Sequence, residues 1–145
     1  MYRNRKIDDQ NDPIVDASRA ILDGHIVLTR ELAEAGIYPA IDVEASVSRA
    51  MQNITAPEHQ SLIARFRQVY STYRQNRDLI AVGAYERGSD ARIDEAIALW
   101  PSIVEFLRQS HADSVSYAHS MTALRDLLEP QAPADATSGS TVNEA

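Results

Sequence analysis

"PEHQSLIARFRQVYSTYRQNRDLIAVGA", residues 57–84, decides the fold. Within it Leu62, Ile63, Phe66, Val69, Tyr70, Tyr73, Ile80 and Ala81 recur at intervals of three and four. That spacing gathers them on one side of an α-helix, so the stretch is expected to be a long amphipathic helix with Pro57 in its first turn. Toward the C-terminus, Gly83 and Gly88 bracket a turn, and Ser89 or Asp90 can cap the helix that follows. Pro101 is expected to divide "ARIDEAIALW" from "SIVEFLRQ" into two short helices, because proline lacks the amide donor and crowds the preceding turn. A last helix over Ser114 to Leu128 places Val115, Ala118, Met121, Leu124 and Leu128 on one face. Beyond Glu129 the only large apolar residue is Val142, so residues 130–145 are expected to be a disordered tail.

Toward the N-terminus, "NDPIVDASRAIL" has the marks of a helix start, with Asp12 as cap, Pro13 in the first helical position and an end near Asp23-Gly24. "HIVLT", residues 25–29, is the one credible strand, and no partner for it is evident in this chain, although a strand cannot stand alone. "RELAEAG" is expected to be a short helix closed by Gly36, and "IYPA" to be extended, since the residue before a proline is pushed out of the helical region. No internal repeat interrupts this order. The fold class is therefore mostly α, with one or few strands near the start.

With 145 residues, 44% of them hydrophobic, the chain is the size of one domain and can bury a core. No apolar run approaches the roughly 18 residues that a membrane span needs, and "MYRNRKIDDQ" lacks the apolar segment of a secretory signal. A cytoplasmic location is the default expectation. The absence of cysteine removes disulfides and thiolate chemistry, while the histidines at 25, 59, 111 and 119 form no close pair at zinc-ligand spacing, so no metal site is expected. A net charge of -7 disfavours nucleic acid as a partner, because phosphate backbones require a dense basic surface.

Catalytic signatures are missing. The only lysine, Lys6, precedes Ile7 where a Walker loop requires Lys-Ser or Lys-Thr, and there is no Gly-x-Ser-x-Gly elbow or His-Glu-x-x-His pair. Against that background "GIYPAIDVEASVSRAM", residues 36–51, presents Tyr38 before a proline and Arg49 after Ser48. A fixed aromatic ring can stack on a purine, and an arginine can offer phosphate oxygens a planar, permanently charged fork. The same residue types serve equally as a packed core tyrosine and a surface or salt-bridged arginine.

"DDQNDPIVDASRAILDGHIVLTRELAEAGIYPAIDVEASVSRAM" resembles the end of the nucleotide-binding domain of the rotary ATP synthase catalytic subunits, and more closely that of the type III secretion and flagellar export ATPases. "YRQNRDLIAVGAYERGSDARIDEAIALWPSIVEFLRQ" resembles the C-terminal helical domain of the flagellum-specific ATP synthases in particular. The resemblance runs from about Asp8 to Leu128. It implies a non-family start at 1–7, the end of an α/β P-loop nucleotide-binding domain at 8–55, a helical bundle domain at 56–129 and the tail beyond.

It further implies a homohexamer, or association with full-length export ATPase subunits, in which each nucleotide lies between neighbours. Arg49 would be the arginine finger acting in trans on the γ-phosphoryl group, and Tyr38 would stack on adenine in its own subunit's site. ATP and Mg²⁺ belong to the full-length family; neither is expected to bind tightly to this chain alone, because the phosphate loop, the Mg²⁺-coordinating aspartate and the water-positioning glutamate have no counterpart in it. The acidic turn Asp8 to Asp12 and "YERGSDARIDEAI", residues 85–97, correspond to surfaces facing a central stalk, here a coiled-coil stalk protein of the export apparatus. The alternatives are an injectisome ATPase and a non-enzymatic helical module that binds the apparatus.

Overall fold

A computed structural model describes residues 13–129, in the order α1 (Pro13–Ile21), β1 (Gly24–Leu28), α2 (Arg30–Glu34), β2 (Ile41–Ser48), α3 (Met51–Ile54), α4 (Pro57–Ala81), α5 (Ala91–Leu107) and α6 (Tyr117–Leu128). The expected cap at Asp12, the acidic turn Asp8 to Asp12 and the tail 130–145 lie outside the described residues. A short strand pair with flanking helices is thus followed by a helical bundle, the architecture expected of an ATPase core end joined to a C-terminal helical region.

The long helix α4 forms the spine. Its Phe66, Val69 and Tyr70 are buried with Ala96 and Ile103 of α5 and Leu124 of α6 in one hydrophobic core. Tyr73 stacks on Trp100 with ring centroids 3.8 Å apart, and Phe66 meets Phe106 edge-on at 5.7 Å. Such burial, with aromatic pairing added to it, is what fixes a bundle of this size. Gly83 ends the helix in the left-handed region, φ 70°, a conformation open to glycine without a Cβ penalty.

Pro101 does not divide the following segment: α5 runs unbroken from Ala91 to Leu107. The reason is packing on both sides of the proline. Ala96 and Ile103 are fully buried against α4 and Trp100 lies on Tyr73, so tertiary contacts hold both halves on one axis despite the lost amide donor. Asp90 supplies the N-cap, accepting from Arg92 N at 2.8 Å, and Arg92's side-chain hydrogen bond holds the Asp90 carboxyl below the usual carboxylate range. The last helix begins at Tyr117, later than Ser114, because the Ser116 hydroxyl accepts from His119 N and sets the boundary there, leaving Val115 outside.

The expectation that strand 25–29 has no partner in the chain is overturned. β1 pairs antiparallel with β2, matching Gly24 to Ser48, His25 to Val47, Val27 to Asp42 and Leu28 to Ile41. The alternation of Ile41, Val43, Ala45 and Val47 with polar residues carries the strand period, interrupted in the ladder by an irregularity between His25 and Val27. Val27, Leu32 and Ile37 form the buried interior of this part. Its outer side is bare: Ile14 is 76% and Ile21 82% exposed on α1, and Ile26 and Leu28 project apolar side chains from β1. Amide hydrogen exchange is therefore expected to be faster through 13–48 than through the cores of α4 and α5, because opening α1 and β1 uncovers little buried surface. Uniform protection across both parts contradicts this.

Tyr70 adds a second prediction. It is 1% exposed, and its hydroxyl has no hydrogen-bond partner among the described residues. Burial pushes the phenol above its ordinary pKa, with the Arg74 charge opposing. A buried unpaired hydroxyl costs more than it returns, so Tyr70→Phe is expected to raise stability by about 1 kcal/mol in denaturant titrations. A loss of similar size indicates a bound partner for that oxygen.

Candidate functional site

Arg49 follows the last residue of β2. Its backbone N–H donates to Asp23 O at 2.8 Å, which fixes its root beside the start of β1. Its side chain is exposed, and Nη1 makes a long 3.4 Å bond to Ala20 O in the last turn of α1, where carbonyls lack intrahelical partners. No carboxylate pairs with it among the described residues; arginines 65, 74, 77, 92 and 125 have acidic partners there, whereas arginines 19, 67, 87 and 108 share Arg49's lack of one. The geometry displays an exposed arginine without a salt bridge among the described residues, which agrees with a plain surface arginine as well as with one awaiting a phosphate.

Tyr38 sits in the turn between α2 and β2. Gly36, at φ 70°, reverses the chain, Ile37 N donates to Leu32 O at 2.9 Å, and the Tyr38–Pro39 peptide is cis. Ile37 is buried whereas the Tyr38 ring is 56% exposed, so the packed-tyrosine alternative belongs to its neighbour. The ring and Pro39 border an open groove of about 620 Å³ whose other side is the loop after α5: Gln109, Ser110, His111 and Asp113. That loop is tied to the turn by Gln109 N donating to Tyr38 O at 2.8 Å, and it is braced internally by Ser110 N donating to Asp113 Oδ2 at 3.2 Å. An aromatic face opposite an amide, an imidazole and a carboxylate, with no arginine or lysine among the described lining residues, suits a planar polar ring better than a phosphate.

Tyr38 and Arg49 are not brought together. They flank opposite ends of β2, whose end residues Ile41 and Ser48 pair with Leu28 and Gly24, so the strand's ends are separated by roughly 13 Å at the usual strand rise. The groove-side loop 109–113 escaped sequence reasoning; the only signal was a polar run, "RQSHADS", directly after a buried helix. Among the described residues no cluster of His, Cys, Asp or Glu could hold a metal ion, and no helix is long and apolar enough to cross a membrane.

The turn between α4 and α5 is built firmly. The Tyr85 hydroxyl lies 3.0 Å from both Asp90 O and Asp94 Oδ1, and Gly88 N donates to Asp94 Oδ2 at 2.8 Å. Beside it Leu79 and Val82 are exposed.

Two family models match in succession: the ATP synthase alpha/beta family, nucleotide-binding domain, over residues 4–48, and the T3SS EscN ATPase C-terminal domain over residues 55–126. The chain belongs to the type III export ATPase family. Within this family it is 53% identical over 123 residues to the flagellum-specific ATP synthase of Salmonella typhimurium (strain LT2), covering 85% of this chain and 27% of that protein. Against the type 3 secretion system ATPase of Pseudomonas savastanoi pv. phaseolicola it is 46% identical over 117 residues, covering 81% and 26%. The fold agrees with that of the assembled export ATPase EscN from enteropathogenic E. coli, at a TM-score of 0.79 and 43% identity over 83% of this chain and 29% of that one. It also agrees with EscN in complex with its central stalk EscO, at a TM-score of 0.75 and 43% identity over 79% and 28%. The chain spans about a quarter of the length of the curated relatives it matches. Tyr38 and His111 fall inside the matched segments, and Arg49 falls one residue past the first.

Proposed function

We propose that this segment serves two nucleotide sites at once in a ring of export ATPase subunits that couples ATP hydrolysis to the export of flagellar proteins. Tyr38 stacks on the adenine of its own subunit's ATP, with His111 and Gln109 across the groove. Arg49 reaches the γ-phosphoryl group held by the neighbouring subunit and neutralises charge as it transfers. ATP and Mg²⁺ are bound chiefly by family residues outside these 145. The turn between α4 and α5, with Leu79 and Val82 beside it, faces a coiled-coil stalk protein. The assembly works in the cytoplasm, at the membrane-embedded export gate.

The observation that carries this reading is the division of labour along β2: at one end a half-exposed ring in a groove with no arginine or lysine among its described lining residues, and at the other an exposed arginine with no carboxylate partner among the described residues. A second reading, a helical module that binds the apparatus without nucleotide, is favoured by the self-contained core of α4, α5 and α6.

Phosphate release separates the two. The purified chain alone is expected to release none, since it has no Walker lysine. Mixed with the full-length Salmonella relative, it is expected to change that enzyme's rate, and Arg49→Ala to alter the change. A change that is identical for both chains supports the binding module instead.

A further inference from the structure

β2 is not a regular strand. Between the pairs His25–Val47 and Val27–Asp42, the single residue Ile26 on β1 faces the segment Val43–Ser46 on β2. This bulge is held by side chains: Asp42 Oδ1 accepts from Glu44 N at 2.9 Å and Ala45 N at 3.0 Å, and Ser46 Oγ accepts from Val27 N at 3.0 Å. His25 Nε2 lies 3.1 Å from Ala45 O. The consequence is that Val43 packs against the helical core and Glu44 turns toward α4.

At that point α4 meets it with arginines. Arg67 Nη2 donates to Glu44 O at 3.2 Å. Arg74 lies 3.9 Å from the Glu44 carboxylate and 3.8 Å from that of Glu31 on α2, with its guanidinium 6.0 Å from the centre of the Tyr70 ring. Arg77 pairs with Glu31 at 2.5 Å. Arg74 is the least exposed of the ion-paired arginines among the described residues, at 22%. It therefore touches the helical core, α2 and the β2 bulge at once, which a lysine's single point of charge could not do in the same way.

We infer that the β2 bulge and Arg74 form the joint between the strand pair and the helical bundle, with Arg74 as the positioning residue that sets the angle at which β2 is carried. Bulges re-aim a strand and the side chains at its ends, and here those ends bear Tyr38 and Arg49. The joint itself does not depend on the nucleotide reading; only its consequence for Tyr38 and Arg49 does.

The test reads geometry, so it remains informative even if no nucleotide binds. Because the chain has no cysteine, Ser48→Cys and Ser102→Cys give unique spin-label positions on the strand pair and on α5. The expected result is one narrow distance peak at low salt, lost in Arg74→Ala and partly recovered in Arg74→Lys. About 0.5 M salt, which screens partly exposed ion pairs, broadens the parent peak but leaves Arg74→Ala unchanged. Near-ultraviolet circular dichroism from Trp100 on Tyr73 checks that the bundle persists. Should Arg74→Ala lose that signal, Glu44→Gln, which removes only the acidic partner, must broaden the peak with the bundle intact. An unaltered peak in Glu44→Gln and in high salt overturns the inference.

Discussion

Replacing Arg49 with alanine is expected to lower kcat by about 10³-fold or more in an export ATPase whose C-terminal segment is this chain's residues 8–129, grafted onto the full-length Salmonella relative. Such a drop corresponds to about 4 kcal/mol of lost transition-state stabilisation. Ground-state structure should barely notice, because the side chain's one bond is the 3.4 Å contact to Ala20 O and it carries no carboxylate partner among the described residues. Arg49→Lys is expected to recover little, since an ammonium cannot present the same planar fork to phosphate oxygens. The measurement is steady-state phosphate release, with assembly checked by size-exclusion chromatography. A loss smaller than about tenfold, with assembly intact, is too small for a finger on the transferring group and sinks that role.

The second large effect is on stability. Ile103 is fully buried between α4 and α5, so Ile103→Ala removes apolar contact and leaves a cavity, a change expected to cost about 3 kcal/mol. For a bundle of this size that is a fall in Tm of about 15 °C, readable from the Trp100 signal. Glu105→Ala, two residues on at an exposed site, is the matching control, with an effect expected within about 0.5 kcal/mol. Similar midpoints for both variants are incompatible with a core centred on α5.

What could be read in the sequence followed the strength of periodic signal. The helix from Pro57 was visible because its apolar face persists over many turns, and packing then confirms propensity. Pro101 misled because a local rule was overruled by contacts with residues distant in sequence, Tyr73 among them. β2 went unseen although its alternation is present, since the bulge breaks its pairing and its meaning lies in what it packs against. Tyr38 and Arg49 stood out by residue type alone, whereas their separation depends on the strand between them. His111 carried no signal; only the fold of the loop after α5 sets it across from Tyr38.

The spacing along β2 has a genetic corollary. Under the proposed reading, a subunit damaged at Tyr38 still lends a sound arginine to its neighbour, and one damaged at Arg49 still holds its own base. Two crippled alleles, Tyr38→Ala and Arg49→Ala, then restore each other wherever an Arg49-deficient subunit receives its finger from a Tyr38-deficient one, while a chain bearing both lesions rescues neither.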